Sequence, residues 1–345
     1  MNRQPGNILI FKPGAVGDLL QLSPVLRALK KSHPRARITL LVGNTASIDL
    51  FRHNPLVDEI LVYEKRGAHR SWRAFARLWL ELRRRRFDLV VNYQRSNLKG
   101  WLLAAAAFPC RVLVYHKEKK QVVHAVHNHL QAVEPVVGAP HAHDHGLELH
   151  LGPVDEGWAA ELFARESLNG RPVVALNLGA SHPVNRWPTW RFAELAGQLQ
   201  SAGIGVVLVG GATDRELADA VLAKTSSPPL DLVGRTSLLQ LGALLKLCSA
   251  VVSADTGPMH LATAVGTPVI ALFGAADPGR TGPVGQGHLV LQAGEVPCVP
   301  CRSRSCRHTP PQECMERISA AQVRAALALV LKEGAGDLLL GAKFD

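Results

Sequence analysis

Three clusters of chemically capable residues each begin where an apolar run ends. The first, Lys12-Pro13-Gly14-Ala15-Val16-Gly17-Asp18, follows Asn7–Phe11. Its glycines permit a tight turn and close backbone approach, and the helix start offers unpaired N–H groups to an anion. Lys12, Gly14 and Gly17 are therefore candidates for a phosphate-holding loop. The spacing is neither G-x-G-x-x-G nor a Walker loop, so no dinucleotide or P-loop claim follows. Asp18 falls in the first helical turn, where the helix dipole favours its charge. On these grounds alone it reads either as a capping residue or as a functional carboxylate.

The second cluster is Asn177-Leu178-Gly179-Ala180-Ser181-His182, ending in Asn185-Arg186-Trp187-Pro188. Ser181, backbone N–H groups and Arg186 suit a diphosphate, and an ordinary strand–helix connection is the competing reading. The third is Ser253-Ala254-Asp255-Thr256-Gly257-Pro258-Met259-His260, with a second turn at Phe273-Gly274-Ala275-Ala276-Asp277-Pro278. Thr256 and Gly257 can present hydroxyl and N–H donors to an anion. A lone His260 would more often be structural, but several such clusters at strand ends are more telling than one.

Of six cysteines, Cys298, Cys301, Cys306 and Cys314 form C-x2-C-x4-C-x7-C in a Pro- and Arg-rich loop. Thiolate clusters in cytosolic chains point more often to metal than to disulfide. A structural zinc or iron site is one reading. Free or redox-labile thiols, activated by nearby Arg, are the other. Cys110 and Cys248 read as core residues. His141-Ala142-His143-Asp144-His145 is read as a solvated His-rich loop rather than a metal site.

The elements that must position these residues alternate along the chain. Strands are expected at Asn7–Phe11, Arg37–Val42, Glu59–Tyr63 and Phe87–Asn92, with helices over Val16–Lys31 and Arg70–Arg85. Gln131–Pro153 is rich in Pro, Gly and His and reads as a linker. Alternation resumes with strands at Pro172–Leu178, Gly205–Val209, Leu230–Val233, Ala250–Ala254 and Val269–Phe273. Between them lie helices near Asp155–Ser167, Trp190–Ala202, Arg215–Lys224, Ser237–Lys246 and Met259–Val265. Apolar strands alternating with helices imply parallel sheets covered on both faces. The expected architecture is α/β: two Rossmann-like domains with parallel sheets facing a central cleft, ligands binding beyond the carboxyl ends of the strands. The divisions are 1–153, 154–331 and a tail, 332–345.

The chain has 345 residues, 47% hydrophobic and 19% charged. At roughly 100–200 residues per domain this length suggests two domains, and the composition excludes a disordered chain. No apolar run approaches the ~18 residues of a membrane span. Met1–Gly6 lacks the features of a secretory signal, so a cytoplasmic protein is expected. With 39 Lys and Arg against 28 Asp and Glu, the net charge is +11. That excess favours anionic partners and is densest at Arg83-Arg84-Arg85-Arg86, itself read first as a solvated helix end. Aromatics make up only 5% and are not interleaved with the basic residues, which argues against a nucleic-acid platform.

Together the three clusters resemble glycosyltransferase family 9, the ADP-heptose:lipopolysaccharide heptosyltransferases. The resemblance is carried by Ile8–Leu29, Gly179–Pro188 and Val252–Pro283, with Gly234-Arg235-Thr236-Ser237-Leu238 similar to the family's Gly-x-Thr-Ser-Leu turn. It implies a GT-B fold, acceptor binding by the first domain, nucleotide-sugar binding by the second, and inverting transfer with no cofactor. Asp18 matches the family's proposed general base. Asp255, Thr256, Gly257 and His260 match positions contacting the nucleotide sugar, and Ala180 and Ser181 match a phosphate-holding pair. Relatives often carry Lys where this chain has Asn185, so Arg186 or Lys12 is the candidate cation at the leaving diphosphate. The absence of any Asp-x-Asp pair agrees independently with transfer that holds no divalent metal.

The implied partners are ADP-heptose or a related nucleotide sugar and the phosphorylated lipopolysaccharide core, met at the cytoplasmic face of the inner membrane. No nucleic-acid partner is expected. The rival readings are the same chemistry on another nucleotide sugar or a protein acceptor, and a non-catalytic nucleotide-sugar-binding protein of this fold.

Overall fold

The computed structural model describes residues 4–65, 67–94, 98–116, 121–138 and 145–333. His141, His143 and Asp144 of the His-rich loop, Lys117–Lys120 of the basic region, and the tail beyond Glu333 lie outside the described residues. The chain divides into two compact units, Met1–His150 and Leu151–Asp345.

The first unit is a five-stranded parallel sheet: β1 (Asn7–Phe11), β2 (Arg37–Val42), β3 (Glu59–Val62), β4 (Leu89–Asn92) and β5 (Arg111–Val114), in the order β3-β2-β1-β4-β5. Central β1 and β4 are almost wholly buried, as their uninterrupted apolar sequences require. Edge strands β3 and β5 are only partly covered. Phe11 pairs in register with both Leu41 and Asn92, which brings the loops after β1 and β4 together.

The helix expected over Val16–Lys31 is two helices, Val16–Leu20 and Ser23–Ser32. Pro24 is the reason: it lacks an N–H and its ring would strike the carbonyl of Leu20, so the chain breaks just before it. The Ser23 hydroxyl donates to that Leu20 carbonyl at 2.6 Å.

The helix Trp72–Arg84 starts at Ser71, whose hydroxyl accepts from the Ala74 N–H at 3.2 Å. It buries Phe75, Leu78 and Leu82 against Phe11, Tyr63 and Val90. The arginine run is not simply solvated. Arg85 folds back onto Glu59 at 2.6 Å and Glu81 at 3.0 Å. The hydrogen bond from Arg85 holds the Glu59 carboxyl below its ordinary range.

The second unit is a six-stranded parallel sheet: β6 (Val173–Asn177), β7 (Gly205–Val209), β8 (Leu230–Asp231), β9 (Ala250–Ala254), β10 (Val269–Phe273) and β11 (Leu289–Gln292), ordered β11-β10-β9-β6-β7-β8. Four of its strands, β6, β7, β9 and β10, are buried along their whole length. Phe192, Leu195 and Leu199 of the helix Thr189–Ser201 and Val323, Leu327 and Val330 of the helix Ala320–Glu333 belong to its core.

Strand order reverses at β1 in the first sheet and at β6 in the second. Loops leaving neighbouring strands at such a point turn to opposite faces and open a crevice beyond the carboxyl ends. The three clusters follow β1, β6 and β9, so each unit carries its candidate residues at its own switch point. Among the described residues no helix is long and apolar enough to cross a membrane.

Candidate active site

In the first unit the chain leaves β1 at Lys12 and enters the helix Val16–Leu20 through Gly14 and Ala15. Ala15 is the N-cap and makes no side-chain cap bond. Asp18 lies in the first turn with its side chain half exposed (51%), while Lys12 is largely covered (12%). The Lys12 ammonium stands 3.8 Å from the Asp18 carboxylate. Gly14 makes this possible: a Cβ there would stand 2.8 Å from Asp18 Cβ and 3.3 Å from Lys12 Cε.

Three residues that the sequence did not single out surround Lys12. Its ammonium donates to His129 Nε2 at 3.1 Å and faces the rings of Tyr93 and Tyr115 at 5.7 and 5.9 Å. Desolvation pulls the His129 imidazole down to about 3, with the Lys12 charge adding to the effect, so the ring is neutral at pH 7. Burial, and then the Asp18 charge, raise the Tyr115 hydroxyl. Tyr93 and Tyr115 each follow the last residue of a strand, β4 and β5, so the switch-point rule could have flagged them. No local signal marks His129, which lies on the helix Ala125–Gln131.

In the second unit the ends of β6 and β9 are tied together. Asn177 donates to the Ser253 hydroxyl and to the Gly179 carbonyl, each at 3.0 Å. A further residue overlooked in the sequence, buried Asp214, accepts from the Gly211 N–H at 2.9 Å. Its carboxylate fills the space where a Cβ on Gly179 would go, which accounts for glycine there. Ala180 is half-buried and Ser181 exposed beside this loop. Beyond it, Trp187 anchors the turn by donating to the Ile318 carbonyl at 2.9 Å. Arg186 Nε and Asn185 Oδ1 are buried without hydrogen-bond partners, an unmet donor and acceptor beside a loop suited to a diphosphate.

After β9, Thr256 is the N-cap of the helix Gly257–Ala264, and its hydroxyl makes no cap bond. That leaves the hydroxyl and the helix N-terminus suited to an anion. Asp255 accepts from the Thr281 hydroxyl at 3.2 Å. His260 is buried in the helix, three residues from Thr263, whose hydroxyl bonds its carbonyl at 2.9 Å. The structure thus brings the predicted residues together within each unit: Lys12, Gly14, Gly17 and Asp18 in one, and in the other Ala180, Ser181 and Arg186 after β6 and Asp255, Thr256, Gly257 and His260 after β9.

For the cysteine loop the sequence left a metal site and free thiols as alternatives. Among the described residues no three His, Cys, Asp or Glu side chains stand where they could share an ion. Cys301 is exposed, Cys298 and Cys306 are half-buried, and Cys314 is buried. The Cys314 thiol is raised, by burial first and then by the neighbouring Cys298 and Cys306. Packing explains the arrangement. A Cβ on Gly274, in the turn after β10, would stand 2.6 Å from Met315 Sδ and 2.9 Å from Cys314 Sγ. Cys314 and Met315 are therefore packed onto that turn, and the Arg302 N–H bonds the Ala275 carbonyl at 2.7 Å. The segment is held by core contacts and backbone hydrogen bonds.

The sequence model described as Glycosyltransferase family 9 (heptosyltransferase) matches residues 75–311. A relative, lipopolysaccharide heptosyltransferase 2 of Salmonella typhimurium, is 28% identical over 315 residues, covering 83% of this chain and 87% of that protein. Among solved structures, a glycosyl transferase family 9 protein from Veillonella parvula superposes with a TM-score of 0.84 at 24% identity, covering 96% of this chain and 99% of that one. The E. coli ADP-heptose lps heptosyltransferase II superposes with a TM-score of 0.77 at 23% identity, over 96% of this chain and 100% of the other.

Proposed function

The chain belongs to glycosyltransferase family 9, with the GT-B architecture of two parallel α/β units, and from that premise we propose that it moves a heptose from ADP-heptose to the phosphorylated inner core of lipopolysaccharide. The observation that carries the chemistry is Asp18. Its carboxylate is half exposed in the first turn after β1, with a covered ammonium 3.8 Å away. A general base needs that combination of access and fixed position.

In this reading Asp18 takes the proton of the acceptor hydroxyl as that oxygen attacks the anomeric carbon of the heptose. The bond from that carbon to the ADP oxygen breaks, and ADP leaves with inversion. The second unit holds the donor through the Ala180–Ser181 loop, Arg186 and the Asp255-Thr256-Gly257 turn, with His260 behind it. The unmet Arg186 Nε and the helix start at Thr256 support this role: both present positive character to a diphosphate without the Lys that relatives often carry at the position of Asn185. The sequence lacks an Asp-x-Asp pair, which supports leaving-group stabilisation by these groups. The first unit, with Lys12, Gly14 and Gly17, takes the acceptor. The net charge of +11 supports work against an anionic acceptor as a peripheral protein on the cytoplasmic face of the inner membrane.

The test is Asp18→Asn, which preserves shape and removes the proton acceptor. Turnover with ADP-heptose and a core acceptor should fall by ~10²–10⁴ while donor affinity by calorimetry stays unchanged. Near-wild-type turnover would reject Asp18 as the base. Absence of any heptosyl transfer by the wild type would reject the substrate assignment.

A further inference from the structure

We propose that His129 is the positioning residue of this site, an imidazole that clamps both ends of the segment carrying Asp18 and fixes the Lys12 ammonium beside the carboxylate. The inference rests on the reading of Asp18 and Lys12 given above. His129 is 2% exposed and has two ring contacts. Its Nε2 accepts from the Lys12 ammonium at 3.1 Å, just before the helix Val16–Leu20. Its Nδ1–H donates to the Gln21 carbonyl at 3.4 Å, just after that helix. The short helix that presents Asp18 is thus bracketed by one ring.

Other contacts hold the ring still. The Tyr93 hydroxyl donates to the His129 carbonyl at 2.9 Å, and the two rings meet edge-on with centroids 5.0 Å apart. Tyr115 packs on the other contact at 5.3 Å. The titratable groups facing the imidazole are Lys12, His124, Tyr93 and Tyr115, and burial keeps the imidazole neutral among them. A neutral ring with its proton on Nδ1 offers Lys12 a lone pair without cancelling its charge. A carboxylate in the same place would hold Lys12 equally well but neutralise it. The arrangement therefore fixes the Lys12 cation at the side of Asp18, its ion-pair partner at 3.8 Å, where an anionic acceptor and the base must meet.

The clamp makes a specific kinetic demand: His129 must act through Lys12. In the full chain, His129→Leu should lower kcat/KM for the acceptor by ~10–100-fold, the range for a lost hydrogen bond to a charged group. In a Lys12→Met background the same change should cost at least ~3-fold less, because that partner is already gone and only the longer Gln21 contact remains to be lost. His129→Gln can still accept from Lys12 and should stay within ~3-fold of wild type. Equal losses in the two backgrounds, or a Gln variant as impaired as the Leu variant, would overturn the proposal. Nitrogen NMR of the histidine rings tests it without any transfer assay. His129 should be neutral at pH 7 with its proton on Nδ1, and Lys12→Met should move its Nε2 resonance. A proton found on Nε2 rules out acceptance from Lys12 and overturns the clamp, whether or not the wild type transfers heptose.

Discussion

Gly14→Ala places one methyl group where Asp18 and Lys12 already are. The new Cβ would stand 2.8 Å from Asp18 Cβ and 3.3 Å from Lys12 Cε. Carbon atoms rest comfortably at ~3.5–4.0 Å, so Asp18 or its loop must retreat by roughly 1 Å. Lys12 can yield through its flexible end, but Asp18 Cβ is attached directly to the helix backbone and can yield only if the backbone moves with it. A displacement of ~1 Å at a reacting group costs on the order of 10²-fold in rate, equivalent to about 2.7 kcal/mol of transition-state stabilisation. Overpacking strain of ~1–3 kcal/mol is of the same size, so loop and side chain share the displacement rather than one absorbing it all. The assay is the initial rate of ADP release at saturating ADP-heptose, with donor affinity by calorimetry and a thermal melt alongside. Turnover should fall by ~10² while donor affinity holds, because the residues proposed to hold the donor belong to the other unit. Turnover within about threefold of wild type would refute the claim that Gly14 sets the position of Asp18.

Two structural predictions accompany it. Gly274→Ala drives a Cβ to 2.6 Å from buried Met315 Sδ and 2.9 Å from buried Cys314 Sγ, and should destabilise the second unit by ~1–3 kcal/mol; an unchanged urea midpoint would contradict the packing role given to Cys314. Glu59→Gln removes a carboxylate whose folded pKa is depressed, chiefly by the Arg85 hydrogen bond. Its contribution to stability is present above the unfolded pKa of ~4.3 and disappears as pH falls through the lower folded value, so the variant should melt below wild type at pH 7 and the gap should narrow steadily as pH falls below ~4.3; a gap that stays constant on acidification would contradict the pairing.

Much of the scaffold was legible because it is written locally. Asn7–Phe11, Arg37–Val42, Gly205–Val209, Ala250–Ala254 and Val269–Phe273 are strands at the limits expected from their apolar runs. Each is a stretch that only a sheet covered on both faces can bury. The break before Pro24 was also local, yet the apolar spacing across Val16–Lys31 masked it. Edge strands β5 and β11 carried no comparable signal, since partly covered strands need not be uniformly apolar.

The three strand-end clusters could be found by composition, but their surroundings could not. Lys12 and His129 are separated by 117 positions, and nothing near either one in sequence predicts the other. Their meeting depends on strand order: β1 beside β4, and β4 beside β5, bring Tyr93 and Tyr115 to the mouth of Lys12, and the helix Ala125–Gln131 drops His129 between them. The cysteine spacing was equally plain in the sequence but left a metal site and free thiols as alternatives. Spacing limits which thiols can converge, whereas the packing of Cys314 and Met315 onto Gly274 decides where they go. Residue type and period thus determined the elements and the loops able to do chemistry. Tertiary packing decided which distant side chains complete them, because burial and charge are set by neighbours in space rather than along the chain.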